Sequence, residues 1–333
     1  MAKVAVLGAG SWGTTFAKVL ADGGSDVTIW ARRPEAAREI RETRRNTQYL
    51  PSITLPSNLT ATSDAAAALD GATQVFLAIP SQQLRTTLAN VRDLIPADAP
   101  IVSLMKGVEG TTRFRMSEVI MQELGVESDR VAVASGPNLA LEIAKEQPTA
   151  AVISSSSAAS AAAVAKLARN SYFHSFVNTD VVGTEFGGVL KNLIAVAIGI
   201  VDGVGYGENT KASIMTRGLA EVTDFAVAHG AQRATLQGLA GLGDLIATCA
   251  SPLSRNFTAG RLLGLGYSRE DVQARMNQVA EGLVSVAPIA ELAAQKGVAM
   301  PILEQVRLVL DGKMNPIDIA PHLTTDDEPA WEH

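Results

Sequence analysis

Cysteine is nearly missing from this chain: its 333 residues include one, Cys249. A single thiol excludes an internal disulfide framework and most zinc sites, and it fits a reducing compartment. Histidine is scarce too, with four copies. His174 lies in the alternating YFHSFV, His229 ends a helical pattern, and His322 and His333 fall near the C-terminus. None stands among glycines or carboxylates, so a histidine base is not expected, and no acid or histidine cluster has metal-ligand spacing. Excess basic charge is also lacking. The balance of 28 Lys and Arg against 34 Asp and Glu gives −6 at pH 7, which argues against nonspecific binding to nucleic acid. The longest apolar run of note, residues 193–201, is about half a membrane span. A strand pattern starts within three residues of the N-terminus, leaving no room for a signal peptide. A soluble cytoplasmic protein is expected, with neither nucleic acid nor membrane as partner.

Glycine is well supplied, and at one place its spacing is informative. In VAVLGAGSWGTTFAKVLADGGSDVTIWARR, residues 4–33, a β-branched run reaches Gly8, Gly10 and Gly13, spaced GxGxxG. A helical pattern and a second apolar run follow. Strand, glycine turn, helix and strand in that order are what a dinucleotide-binding unit needs. Gly8 permits the tight turn, Gly10 lets the backbone approach a pyrophosphate, and Gly13 lets helix and strand pack closely. The helix N-terminus then offers unpaired N–H groups to the phosphates. A glycine turn that holds no nucleotide is the plain alternative. After the second strand an acid usually holds the ribose of NAD. Here Ala31, Arg32 and Arg33 stand there, and Asp26 comes too early. Two guanidiniums suit a 2′-phosphate, so NADP is expected, alongside NAD.

At this length two domains are the prior. Further strand patterns at 75–79, 101–104, 131–134, 150–153 and 172–177 alternate with helical stretches such as 81–94, 112–124 and 157–169. That alternation predicts a parallel, doubly wound α/β sheet covered on both faces. The stretch 46–64, NTQYLPSITLPSNLTATSD, reads as a loop excursion. Beyond residue 180 the patterns are all helical: 181–204, 210–228, 255–263, 282–296 and 301–310. The expected division is 1–180, an all-helical 181–325, and a loose acidic tail at 326–333.

Lys191 is the outstanding chemical candidate. It sits in GGVLKNLIAVAIGIV, apolar on nearly every helical face, with only Gly187, Gly188, Ile194 and Ala195 one turn away. A buried lysine is costly unless paired or used, and removal from water favours the neutral amine that proton transfer needs. The preceding glycines predict an open approach to the ammonium. Pairing with a distant carboxylate is the alternative. Lys106 ends a strand pattern, where ligands of open α/β sheets bind, though a solvated loop lysine looks the same. Gly136 and Asn138 follow the next strand in the same way. Asp244, in GLGDLIATC, is either a helix cap or a carboxylate that holds a substrate hydroxyl or orients Lys191. Ser254, Arg255 and Asn256 open a helix, which makes either a phosphate seat or an ordinary cap with a surface arginine.

Taken together, GAGSWGTTFA, WARR, NTQYLP, SLMKGVE, SGPN, EFGGVLKN, GLGDLIATC, SRNFTAGRLLG and VAEG resemble the bacterial-type NAD(P)-dependent glycerol-3-phosphate dehydrogenase family, almost end to end. The resemblance implies an N-terminal Rossmann domain, a C-terminal helical domain and an active site between them. It implies reversible hydride transfer between nicotinamide and C2 of dihydroxyacetone phosphate, giving sn-glycerol 3-phosphate for phospholipid synthesis. Lys191 would be proton donor and acceptor. Lys106, Gly136, Asn138, Asp244, Ser254, Arg255 and Asn256 would bind substrate; Asn138 stands where a serine or threonine is usual. Ser11, Trp12, Arg32, Arg33, Tyr49, Lys106, Ala140, Arg255, Val279 and Glu281 would line the cofactor site. A homodimer is compatible with the sequence. The alternatives are a β-hydroxyacid dehydrogenase of similar architecture and a nicotinamide sensor without turnover.

Overall fold

The computed structural model describes residues 2–276 and 280–320; Val279, His322, His333 and the tail at 326–333 lie outside the described residues. Two compact units divide the chain, Met1–Glu185 and Phe186–His333.

The first unit alternates strand and helix. Its order is β1 (Lys3–Leu7), α1 (Ser11–Asp22), β2 (Asp26–Trp30), α2 (Pro34–Thr43), β3 (Leu59–Thr62), α3 (Ala65–Leu69), β4 (Gln74–Leu77) and α4 (Leu84–Val91). There follow β5 (Ile101–Ser103), α5 (Met116–Leu124), β6 (Val131–Ser135), α6 (Ala140–Ala144), β7 (Thr149–Ser155), α7 (Ala158–Leu167) and β8 (Phe173–Asn178). One sheet runs β3-β2-β1-β4-β5-β6-β7-β8. Its first six strands are parallel in the doubly wound order, whose topological switch point falls between β1 and β4. Side chains alternate across it with the strand period. Val4 and Val6 enter one core with Phe16 and Phe76, while Ala5 and Leu7 enter the other with Leu84 and Leu88.

Three expectations need correction. The sheet is not parallel throughout, because β7 runs antiparallel to β6. Residues 136–148 between them hold one turn of helix, too little to return the chain to the start of the sheet. The excursion 46–64 contains β3, an edge strand that pairs among the described residues with β2 alone, and its LTAT carries little apolar signal. Helix α5 starts at Met116 rather than 112, since residues 108–115 fold back on themselves. Val108 bridges Arg115 there, and Arg113 takes a left-handed φ of 64°.

Helix α8 (Val181–Val204) begins in the first unit and forms the spine of the second. It is long and apolar enough to cross a membrane, but most of it is buried within the protein. The remainder is α9 (Glu208–Ala228), α10 (Arg233–Leu236), a wide π turn at Leu239–Gly243, α11 (Asp244–Ala250), α12 (Arg255–Gly264), α13 (Arg269–Arg275), α14 (Glu281–Lys296) and α15 (Pro301–Leu310). Glycines decide how α8 meets its neighbours. A Cβ on Gly199 would lie 2.2 Å from the Phe257 carbonyl oxygen, and one on Gly260 would lie 2.1 Å from that of Val196. Helices α8 and α12 therefore cross with their backbones in contact. Within the first unit, Glu185 near the start of α8 is buried and accepts from Ser117 N at 2.9 Å and Arg115 Nη1 at 2.7 Å. Burial pushes its carboxyl above the ordinary range, against the pull of Arg115.

Candidate active site

In the first unit the cradle is built from backbone. Gly8 leaves β1 with φ 122°, in the left-handed half of the map, and a Cβ there would lie 2.3 Å from the carbonyl oxygen of Ala78 at the end of β4. Gly13 is equally confined, since its Cβ would meet the Gly8 carbonyl oxygen at 2.2 Å. A Cβ on Gly10 would meet none of the described residues within 4 Å, and Gly10 starts α1 without a side-chain cap hydrogen bond among them. Two of the glycines thus press α1 onto the switch point, and the third leaves open space where Ser11 begins the helix. A dinucleotide pyrophosphate fits such a cradle.

Other predicted cofactor residues have partners within the protein. Trp12 Nε1 donates to the Leu104 carbonyl at 3.0 Å, and its ring meets Phe16 edge-on. Arg32 and Arg33 are exposed just past β2. Arg32 donates to Gln83 at 3.2 Å, while Arg33 pairs with Glu35 at 3.4 Å and donates to Gln48. Tyr49 packs on the core, and the Ala140 carbonyl accepts from Thr15 at 3.2 Å. Sequence reasoning misses Asn46. It is 1% exposed, and its amide donates to the Ala9 carbonyl at 2.9 Å and to Thr14 Oγ1 at 2.8 Å, bracing the glycine turn from outside. Its place in NTQYLP gives no sign of this contact, which spans 37 residues.

Beyond β5 and β6, Lys106 Nζ donates to the carbonyl of Gly136 at 3.0 Å, and Gly136 itself needs φ 133°. Two residues on, both amide atoms of Asn138 are shielded from solvent and have no hydrogen-bond partner among the described residues. Unmet buried amide groups are costly, and a bound ligand would satisfy them.

In the second unit the candidate centre is made of side chains. Lys191 is 8% exposed on α8, and its Nζ lies 2.8 Å from Asp244 Oδ1 and 2.5 Å from Thr248 Oγ1. Asp244, at 1% exposure, is not a cap; it is the first residue of α11, and its carboxylate serves the lysine. The open approach expected beside Gly187 is filled. A Cβ on Gly187 would lie 2.4 Å from the Ala240 carbonyl oxygen, so the π turn lies directly on α8 and delivers Asp244 to Lys191. Thr248, one turn after Asp244, carries no signal in the sequence. Nearby, burial pushes the Cys249 thiol up to about 12, so it stays a neutral thiol.

Ser254 caps α12 by accepting from Phe257 N at 3.2 Å, and Arg255 beside it is exposed. Asn256 is engaged on both sides, donating to Asn192 Oδ1 at 2.8 Å and accepting from Gly282 N at 2.9 Å. It ties α8, α12 and the start of α14, where Glu281 lies. Among the described residues no group of three or more His, Cys, Asp or Glu could hold a metal ion.

Two family models match this chain. NAD-dependent glycerol-3-phosphate dehydrogenase N-terminus covers residues 3–161, and the C-terminus model of the same name covers 180–321. The chain is 67% identical to the glycerol-3-phosphate dehydrogenase [NAD(P)+] of Leifsonia xyli over 327 residues, covering 98% of this chain and 89% of that one. It is 52% identical to the enzyme of that name in Frankia casuarinae, over 100% and 99% of the two chains. The crystal structure of glycerol-3-phosphate dehydrogenase from Coxiella burnetii superposes with a TM-score of 0.92 at 34% identity, over 98% and 99% of the chains. With full-length matches in sequence and fold, the chain belongs to the NAD-dependent glycerol-3-phosphate dehydrogenase family.

Proposed function

We propose that this chain reduces dihydroxyacetone phosphate reversibly to sn-glycerol 3-phosphate with NADP or NAD, and that Lys191 moves the proton at the C2 oxygen. The observation that carries the proposal is the buried Lys191 with its two partners. An ammonium has three N–H groups, and Asp244 and Thr248 take two, which aims the third. Negative charge develops on the carbonyl oxygen during reduction, and a positioned ammonium stabilises and then protonates it. In the reverse direction the same nitrogen takes the hydroxyl proton while Asp244 keeps the resulting ammonium paired. When bound, the nicotinamide supplies hydride to C2 or accepts it.

Gly8, Gly10, Ser11, Trp12 and Gly13 would hold the pyrophosphate, and Arg32 and Arg33 the 2′-phosphate of NADP. Tyr49, Lys106, Ala140, Arg255 and Glu281 complete the proposed cofactor set. Val279, assigned there by resemblance, lies outside the described residues. Lys106, Gly136 and Asn138 are assigned to substrate, with Ser254, Arg255 and Asn256 at its phosphate. An exposed guanidinium at the start of a capped helix supports that phosphate seat. Phospholipid synthesis in the cytoplasm is the setting we propose. The buried course of α8 and the single cysteine support the cytoplasm, and the phospholipid role follows from the family resemblance.

One assay tests this reading. NADPH oxidation by the purified protein is followed with dihydroxyacetone phosphate, with a panel of oxo acids, and with no substrate. Turnover confined to the phosphate ester is expected. Preference for an oxo acid, or no turnover, would overturn it.

A further inference from the structure

The turn that carries Lys106 is gripped by side chains from other elements. Gln82, in the short turn Ser81–Gln83 after β4, offers its amide as a strand offers its edge. Its Nε2 donates to the Val108 carbonyl at 2.8 Å, and its Oε1 accepts from Gly110 N at 2.9 Å. Between those points Glu109 takes both arms of the Arg85 fork, from Nε at 2.8 Å and Nη2 at 2.9 Å. Arg85 continues to Gln122 at 2.8 Å and Glu123 at 3.2 Å on α5. The backbone closes the far side, where Glu109 N donates to the Phe114 carbonyl at 2.9 Å. Residues 108–110 are thus held from the Ser81–Gln83 turn, from Arg85 on α4 and from Phe114 just before α5. They begin two residues beyond a lysine whose Nζ rests on the Gly136 carbonyl.

A lysine stem has four rotatable carbons, so the place of its ammonium depends on how firmly its Cα is held. Displacement of a reacting group by about 1 Å can cost about a hundredfold in rate. We infer that Gln82, backed by the Arg85–Glu109 pair, is a positioning residue that sets the reach of Lys106 toward Gly136. The inference rests on the reading of Lys106 as a substrate and cofactor residue.

The test is a double-mutant cycle on the full-length protein, reading kcat and KM for dihydroxyacetone phosphate with NADPH. Gln82→Met keeps the length of the side chain and removes both bonds to the turn, together with the one from Nε2 to Ser81 Oγ at 3.2 Å. Gln82 is exposed, so the variant should melt near the wild-type Tm while kcat/KM falls about tenfold. In a Lys106→Met background the same change should cost nothing further, since no ammonium remains to be aimed. Gln82→Glu retains the acceptor for Gly110 N and should recover part of the loss. Arg85→Lys, which keeps the charge and loses the fork, should follow the same cycle. An equal loss in both backgrounds, or none in the wild type, overturns the inference. If Lys106→Met alone keeps wild-type kcat/KM, the reading of Lys106 fails and the brace fails with it. An impaired Lys106→Met beside an unimpaired Gln82→Met sinks the brace alone.

Discussion

The cradle of the first unit and the lysine centre of the second are built by opposite means. Around Gly8 and Gly13 the shape comes from side chains that are absent, because backbone lies 2.3 and 2.2 Å from where each Cβ would be. Around Lys191 it comes from side chains that are present, meeting across 53 and 57 residues of chain. A site made of backbone tolerates change at its open positions and none at its closed ones. A site made of paired side chains fails through the partner left behind.

The largest effect should come from the paired site. Lys191→Met removes the proposed proton carrier, so kcat should fall by about a thousandfold or more, with NADPH affinity by fluorescence titration unchanged. Asp244 would lose this cation while staying buried, so unfolding should also show a loss of about 3–5 kcal/mol. Near wild-type turnover would remove the lysine from its role.

In the cradle the contrast is between two glycines. Gly8→Ala forces a side chain against Ala78 at a left-handed φ, and should cost more than about 2 kcal/mol and abolish cofactor binding. The methyl of Gly10→Ala meets none of the described residues within 4 Å, so the variant should melt like the wild type while weakening the cofactor. Equal melting of the two would show that the closed and open glycines do not differ.

A smaller effect is expected from Asn256→Ala, which takes a bond from Asn192 Oδ1 and another from Gly282 N and should cost about 1–3 kcal/mol by denaturant melts. If the phosphate also contacts this amide, KM for dihydroxyacetone phosphate rises with it; if Asn256 only ties the helices, stability alone changes.

The smallest is a pH effect on the Lys106 turn. The Arg85 guanidinium beside Glu109 holds its carboxyl below the usual carboxylate range. A depressed pKa stabilises the fold above the ordinary range and loses that contribution as pH falls through the folded value. The wild-type Tm should therefore drop more steeply below about pH 4 than that of Glu109→Gln. Parallel curves would show that the pair contributes nothing to the turn.

Much of the fold is legible in the sequence because its signals are local. Strands β1, β2 and β4 to β8 and the all-helical run after residue 180 follow from side-chain periodicity. Strand β3 is hidden because an edge strand with one neighbour needs little apolar content, and LTAT has little. The reversal of β7 is hidden because direction within a sheet depends on how far a connection travels. At the site, Lys191 stands out by its apolar surroundings, and Asp244 is legible as one of its candidate partners, while the choice between cap and partner is not. Asn46 and Thr248 are silent for one shared reason: ordinary polar residues acquire a task only when a distant segment arrives beside them.

By itself, the sequence determined where backbone must come close and which lysine would be buried. Missing Cβ atoms and apolar helical faces are written residue by residue, and they act over one turn or one strand. Only the tertiary structure decided that Asp244 and Thr248 hold Lys191, that Ala240 fills the space beside Gly187, and that the buried Asn138 amide finds no partner among the described residues. Those facts depend on helix crossings and on the path of loops, where many distant contacts act together and no local pattern carries the answer.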